Sequence, residues 1–403
     1  MIRFLTAGES HGKACSVIVD GFPSNLPISG SYINLHLKRR QTGYGRSARM
    51  KIENDSVQIL SGIRFGKTIG SPISIMIENK DWTNWQHLMD AENPPVEYEK
   101  VTVPRPGHAD LVGISKYNFS DIRNSIERSS ARETVARVAA ASLARKLLEE
   151  FGISVGSYVE SIGGIYSKKN ILNSILHNKI LPNKSGWSIS KEADKSEVRV
   201  LDSIQEKNIV NKIKSAKKKG DTLGGTFILI ATGVPVGLGS FMQYDRKIDA
   251  EIAFYIMSIN AVKGIEIGNG FSSAEKFGSE VQDEIRTANK ELTRLTNRAG
   301  GIEGGVTNGQ PIIVRAAMKP ISTLAKPIKS IDLKNMKSTS SRYERSDITA
   351  VPACAVIAES MLAWVIAKHF LLKFGGDSIE EMQDNYKSYT KNLHKRISQN
   401  FRK

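Results

Sequence analysis

The chain has 403 residues, 40% of them hydrophobic and 24% charged, with a formal net charge of +16. That balance excludes a disordered chain and allows a large buried core. Two cysteines, Cys15 and Cys354, exclude a disulfide framework, no Cys/His metal spacing is present, and Met1-Ile2-Arg3-Phe4 lacks the apolar core of a signal peptide, so a reducing, cytoplasmic setting is expected.

In chain order, Ser16–Gly21, Val57–Ile63 and Pro72–Ile77 are apolar runs closed by Gly, Pro or polar residues, which predicts strands. Residues 79–99 form a long polar excursion carrying Trp82, Trp85 and Pro94-Pro95, the mark of a functional or interface element. Ser130 and Glu133 have capping-box spacing. Val135, Val138, Ala139 and Ser142 follow at helical intervals, and Glu150-Phe151-Gly152 stops the run. Ser154–Ile165 predicts a strand leading to Gly163-Gly164. Lys168–Val200 is polar and reads as loops with short elements. Asn208–Lys219 reads as a surface helix, Phe227–Ala231 as a strand, Ile248–Ile259 as an apolar helix and Pro311–Ala317 as a strand. Gly264–Phe271 and Gly300–Gly309 read as glycine-rich turns.

Ala353–Phe374 predicts a long buried helix, with Pro352 suited to its first turn and Gly375 closing it. Its apolar stretch Val351–Ala367 is about 17 residues long and holds Glu359, too short and too charged to span a bilayer. No membrane association is expected. No repeat and no linker stands out, the strands keep no strict βαβ rhythm, and no GxGxxG opens a helix. The expectation is one α+β domain over residues 1–390, with mixed or antiparallel strands, and a basic tail over 391–403.

The chemistry gathers in glycine- and proline-fixed clusters. Gly8-Glu9-Ser10-His11-Gly12 brackets an acid, a hydroxyl and an imidazole with glycines that allow close backbone approach. The bland alternative is a polar turn with a surface histidine. Lys38–Arg49 carries Lys38, Arg39, Arg40, Arg46 and Arg49 around Gly43-Tyr44-Gly45. Guanidinium forks match carboxylate and phosphate, although such a loop can also be solvated or bind nucleic acid. In Arg105-Pro106-Gly107-His108-Ala109-Asp110, His108 is a second proton-transfer candidate flanked by a cation and an acid. Arg123, Arg128, Ser129, Ser130 and Arg132 crowd a helix start, where cations are unfavourable unless an anion lies among them. Gly304-Gly305, Lys319–Thr323 and Arg342–Asp347 complete the set, with Asp347 a candidate base held by Arg345. Together they suit a small polyanionic substrate and proton transfer. They suit nucleic acid less well, since aromatic residues are only 7% and no nucleic-acid module is present.

The order of GESHG, RRQTGYGR, RPGHAD, RSSARET, INAVKGIEIG, KPIST and RSD, with Glu359 after them, resembles the chorismate synthase family over residues 1–390. The resemblance implies a chorismate synthase-like β-α-β sandwich with antiparallel sheets and flanking helices, assembled as a homotetramer. It implies a lyase, the last step of the shikimate pathway in aromatic amino acid biosynthesis. The reaction is the anti-1,4-elimination of phosphate from 5-enolpyruvylshikimate 3-phosphate (EPSP) to give chorismate, with reduced FMN required although no net redox change occurs. By matching position, His11 is implied near flavin N1, His108 at the departing phosphate and Asp347 as the base at flavin N5. Arg46, Arg49, Arg123 and Arg132 are implied as substrate ligands. FMN contacts map to Arg128, Ser129, Ser130, Asn260, Ala261, Gly304, Lys319, Pro320, Ile321, Ser322, Thr323 and Arg345. Arg40 and Arg46 match positions that the family carries as nicotinamide-dinucleotide contacts.

The chain departs from the common family pattern at Ser125-Ile126-Glu127, where a glycine run is frequent, and at Ile348. Glu127 is expected to place an extra carboxylate near an anion site. With no added domain, the flavin is expected to be reduced by an external flavin reductase, NADPH serving only indirectly. The rival readings are another flavin-dependent reductase and a basic RNA-binding protein.

Overall fold

The computed structural model describes residues 1–46, 54–177, 184–288, 291–342, 344 and 346–401. Two antiparallel sheets face each other across a layer of helices. The first sheet takes β1 (Arg3–Ala7), β2 (Ala14–Asp20), β3 (Val57–Ile59) and β4 (Ile73–Glu78) in the order β1-β2-β4-β3. Its strands alternate, as half-buried antiparallel strands do: Val17 and Val19 of β2 and Ile73, Ile75 and Ile77 of β4 point inward.

The second sheet takes β5 (Ser154–Ile162), β6 (Ile165–Tyr166), β7 (Gly225–Thr232), β8 (Val262–Ile267) and β9 (Ile312–Met318) in the order β8-β9-β7-β5-β6. Its central strand β7 buries Phe227 through Ala231 without alternation, because both faces are covered. One face packs on the central helices. The other takes a smaller cluster of Ile175, Leu176 and Ile189.

Between the sheets run α1 (Gly30–Gln41), α4 (Thr134–Glu149) and α8 (Val351–Phe374). The helix α4 touches β1, β2 and β4 on one side and α8 on the other, and α8 in turn touches β5 and β7. This is the β-α-β sandwich and α+β class expected from the sequence. Helix α8 is apolar all round, which suits a helix surrounded by protein. By length and hydropathy it is the one described helix able to cross a membrane, yet 89% of its most apolar window is buried inside the fold.

Among the polar residues of α8, Glu359 is fully buried. It accepts from Arg39 Nη1 of α1 at 2.8 Å, from Arg145 Nη2 of α4, from Ser157 Oγ of β5 at 2.6 Å and from Ser190 Oγ at 2.8 Å. Arg199 Nη2 lies 3.7 Å away. One carboxylate thus ties the central helices to the second sheet, and an apolar residue there would leave three guanidinium groups buried without it.

Short helices α2 (Asp110–Tyr117) and α3 (Arg123–Ser129) precede α4, while α5 (Gly186–Ala193), α6 (Ser203–Lys219) and α7 (Ile248–Met257) join the strands of the second sheet. Three local expectations change. Helix α1 extends through Lys38–Gln41, so the basic loop begins only at Thr42. Gly264 lies within strand β8, beside a register shift at Val262, and is not part of a turn. Ser130 Oγ accepts from the Arg132 backbone in a 3-10 turn, Ala131–Glu133, while Glu133 accepts from Thr6 and Arg137, so no capping box forms. The final helix, α9 (Ile379–Phe401), runs unbroken through residue 390.

Candidate active site

A cleft of about 950 Å³ opens at one end of the sandwich. Its walls come from the loop after β1, the end of α1, residues 81–85, the turn before α2, the junction of α3 and α4, the loop after α7, the segment after β9 and the residues before α8. The sequence clusters converge there: His11, Arg40, Arg46, His108, Ser129, Ser130, Arg132, Asn260, Ala261, Lys319, Ile321, Ser322, Thr323 and Asp347 all line it.

The loop carrying His11 folds back because Gly8 adopts φ +112, where a Cβ would lie 2.4 Å from the Ala14 carbonyl oxygen. Asn79 Nδ2 clamps the loop by donating to the Glu9 oxygen at 3.1 Å and the Gly12 oxygen at 2.7 Å. The imidazole of His11 is then held on two sides. Its Nδ1 is 2.9 Å from Glu127 Oε1, and its backbone N–H donates to Glu127 Oε2 at 2.8 Å. The Trp85 ring stacks on it at 4.0 Å and 26°. Arg123 covers Trp85 at 5.0 Å and reaches Glu127 at 3.4 Å.

A second histidine–carboxylate pair faces it. His108 Nδ1 is 2.5 Å from Asp110 Oδ1. Arg105 organises the turn: its Nε donates to Asp110 Oδ2 at 2.9 Å, its Nη1 to Thr323 Oγ1 at 3.1 Å and to Glu344 Oε2 at 2.8 Å, and its Nη2 lies 3.3 Å from His108 Nε2. Burial pushes the Asp110 carboxyl up, but the hydrogen bonds and charges of His108 and Arg105 overcome it and hold the group far below the usual carboxylate range. Asp110 is therefore an anion throughout the neutral range and fixes a proton on His108 Nδ1.

The cationic end is built on Asp55. Arg132 Nη1 is 2.5 Å from Asp55 Oδ1, its Nε donates to Asn79 Oδ1 at 2.7 Å and its Nη2 to the Glu78 oxygen at 3.2 Å. Arg40 is buried beside them, 3.9 Å from Asp55 Oδ2. Burial, with further lowering from Arg132 and Arg46, outweighs Asp55 and brings its pKa down to about 10. Among the described residues Arg40 Nε finds no hydrogen-bond partner. A buried guanidinium lining the cleft beside Arg46 and Arg132 favours an anion there.

Arg46 Nε sits 3.2 Å from Asp347 Oδ2, so the second and last sequence clusters meet through this pair. Along the opposite wall, Lys319 Nζ and Ser322 Oγ both donate to the Gly107 oxygen, at 2.7 and 2.8 Å. Asn260 Nδ2 donates to the Ser129 oxygen at 2.9 Å, and Ser130 Oγ is 3.1 Å from Ser10 Oγ. Ala261 adopts φ +65, a strained conformation for a residue with a Cβ, of the kind concentrated at functional sites.

Several sequence candidates stand back from the cleft wall. Arg128 donates to the Gly8 and Thr6 oxygens, at 3.0 and 3.1 Å, and supports the His11 loop from behind. Arg123 acts on Trp85 and Glu127 as described. Pro320 lies between wall residues Lys319 and Ile321, and Gly304 turns a separate hairpin, Ile302–Glu303 with Val306–Thr307. Arg49 and Arg345 lie outside the described residues, and with them the expected Arg345–Asp347 pairing. The sequence left Asp55 unmarked, placed Trp85 in a functional or interface excursion without tying it to the site, and gave Glu127 no partner. Only the tryptophans in the 79–99 excursion carried a signal.

Two carboxylate-backed histidines, an arginine-paired aspartate and buried cations around one cleft are the groups that proton transfer on a small polyanion would need. The comparisons agree. The family model described as chorismate synthase matches residues 2–371. The chain is 52% identical to a chorismate synthase of Chloroherpeton thalassium over 97% of this chain and 99% of that one. It is 51% identical to a chorismate synthase of Alkaliphilus metalliredigens over 97% and 100%. A crystal structure of a chorismate synthase superposes with a TM-score of 0.78, 41% identity and 98% coverage of both chains. The chain belongs to the chorismate synthase family, and is by that membership a lyase.

Proposed function

We propose that the cleft converts EPSP to chorismate and inorganic phosphate by anti-1,4-elimination, with reduced FMN bound beside the substrate. The observation that carries this reading is the convergence of His11, His108 and Asp347 with Arg40, Arg46 and Arg132 on one cleft. EPSP brings a phosphate and two carboxylates, and FMN another phosphate. Fixed guanidinium groups suit that load.

The residues fit a flavin. The cleft is large enough for a tricyclic ring beside a small substrate, Ile126, Met318 and Ile321 give it apolar wall, and Arg40, Arg46 and Arg132 give it cationic wall. Ser129, Ser130, Asn260 and the segment Lys319–Thr323 would hold the flavin. Bound reduced FMN supplies electron density to the allylic system from which phosphate departs. The chain's own residues do the rest. Arg40 and Arg46 hold substrate anions, with Arg132 fixed behind them on Asp55. His108, its Nδ1–H held by Asp110, would give the departing phosphate a proton from Nε2 and regain it from solvent. Asp347, oriented by Arg46, would serve as the base at flavin N5 on the C6 side of the substrate, and His11 would hold a proton near flavin N1. Residues 81–85 cover the His11 side and limit water.

The same reading takes residues 1–390 as one catalytic unit in a cytoplasmic homotetramer. Its flavin is reduced by an external reductase, with NADPH acting indirectly. Family membership favours neither a different flavin reductase nor an RNA-binding protein. The binding test is direct: reduced FMN should bind more tightly with EPSP present, and generic RNA should not compete. Binding of RNA in place of FMN would sink the proposal.

A further inference from the structure

Glu127 is the residue by which this chain departs from the glycine run expected before Arg128, and its surroundings give it a task. It is almost fully buried beneath the cleft, at 3% exposure. Both carboxylate oxygens are used on the same neighbour: Oε2 accepts from the His11 backbone N–H at 2.8 Å, and Oε1 meets His11 Nδ1 at 2.9 Å. The Glu127 backbone oxygen accepts from the Ser10 N–H at 3.1 Å, so α3 and the His11 loop are joined at three points. Arg123, one turn before it, reaches Oε1 at 3.4 Å and lies over Trp85, which stacks on the His11 ring. The ring, its carboxylate, the guanidinium and the indole close a circuit.

A carboxylate ionised at neutral pH has no proton to give. Burial raises the Glu127 carboxyl, but the His11 contacts and Arg123 hold it below its ordinary value. The backbone N–H and Arg123 are obligatory donors as well. An acceptor surrounded by donors requires a proton on the nitrogen that faces it. From this geometry we infer that Glu127 is a positioning residue, which locks His11 in the Nδ1–H tautomer and assigns to Nε2 whatever proton His11 exchanges with a ligand in the cleft. The inference rests on the proposed function for its catalytic consequence, but the tautomer itself stands without it.

Glu127→Gln separates shape from chemistry. The amide has one acceptor and one donor group. The fixed backbone N–H of His11 takes the acceptor, so the NH₂ turns to the ring and Nδ1 must accept. The proton then moves to Nε2. Glu127→Asp keeps two acceptor oxygens on a shorter arm.

The experiment uses full-length protein labelled with ¹⁵N-histidine, His11 being assigned by comparison with His11→Asn. Spectra are taken at about pH 8, above the ordinary imidazole range. The parent should show the Nδ1–H shift pattern, Glu127→Gln the Nε2–H pattern, and Glu127→Asp the parent pattern. With EPSP and reduced FMN, Glu127→Gln should lower kcat roughly ten- to hundredfold at a KM within about threefold, and Glu127→Asp should recover most of the loss. A parent ring in the Nε2–H form, or a Glu127→Gln ring unchanged from the parent, overturns the inference at once. An inverted tautomer with full kcat shows that Nε2 carries no proton in turnover, which also overturns it. A parent that makes no chorismate while showing the Nδ1–H pattern overturns the proposed function and leaves the tautomer assignment standing.

Discussion

Arg46 Nε lies 3.2 Å from Asp347 Oδ2, joining the loop after α1 to the segment that leads into α8. The pair gives the candidate base a fixed orientation and places a cation that can serve both it and a substrate anion. Asp347→Asn keeps the shape and removes the charge. Turnover should fall about a hundredfold or more, while FMN and EPSP still bind within about threefold. Single-turnover kinetics alongside calorimetric titration check this, and turnover within a few-fold of the parent would remove Asp347 from the chemistry.

Asp110 is paired with Arg105 and His108 and titrates far below the ordinary carboxylate range. A depressed folded-state pKa contributes stability that is present above the unfolded value, about 4, and is lost as pH falls through the folded value. Asp110→Asn should therefore be less stable than the parent at pH 7, by about 1–3 kcal/mol. The gap should narrow below about pH 4. Denaturant unfolding across pH reads both effects.

Glu359 offers the contrast of a buried charge that belongs to the scaffold. Burial raises its pKa, yet Arg39, Arg145 and Arg199 drive it well below the ordinary value. Glu359→Gln should lose about 3–5 kcal/mol of unfolding free energy, because three arginines stay buried around a neutral group. KM for EPSP in the protein that remains folded should not change. An unchanged unfolding midpoint would show that the layers do not depend on this anion.

Trp85 shields one face of His11. Trp85→Ala removes a stacking contact worth about 1 kcal/mol and opens that side of the cleft to water. The expected result is a several-fold lower kcat and faster air oxidation of bound reduced flavin, followed by flavin absorbance. Equal oxidation rates in parent and variant would argue against a covering role.

The sequence was legible where one physical rule governs a segment. Apolar runs closed by Gly, Pro or polar residues revealed β2 and β4, and an unbroken apolar run with Pro352 revealed α8. Helix α1 stayed hidden because the face it buries includes His36, Arg39 and Arg40, so its inward side looks like a polar surface. Gly264 disguised β8 because a strand glycine at a bulge has the same local signature as a turn. At the site, proton-carrying and anion-binding side chains were readable as types. Their partners were not: Glu127 lies 116 residues from His11, and Asp55 lies 77 from Arg132. Burial converts such remote pairs into fixed tautomers and fixed charges, and only the fold supplies the burial.

The central claim is that this cleft carries out a redox-neutral elimination on EPSP. Purified protein with photoreduced FMN and EPSP, kept free of oxygen, should form chorismate and inorganic phosphate in equal amounts, with the flavin still reduced at the end. Absence of both products while FMN and EPSP are bound, or product formed only with matching flavin oxidation, would contradict it.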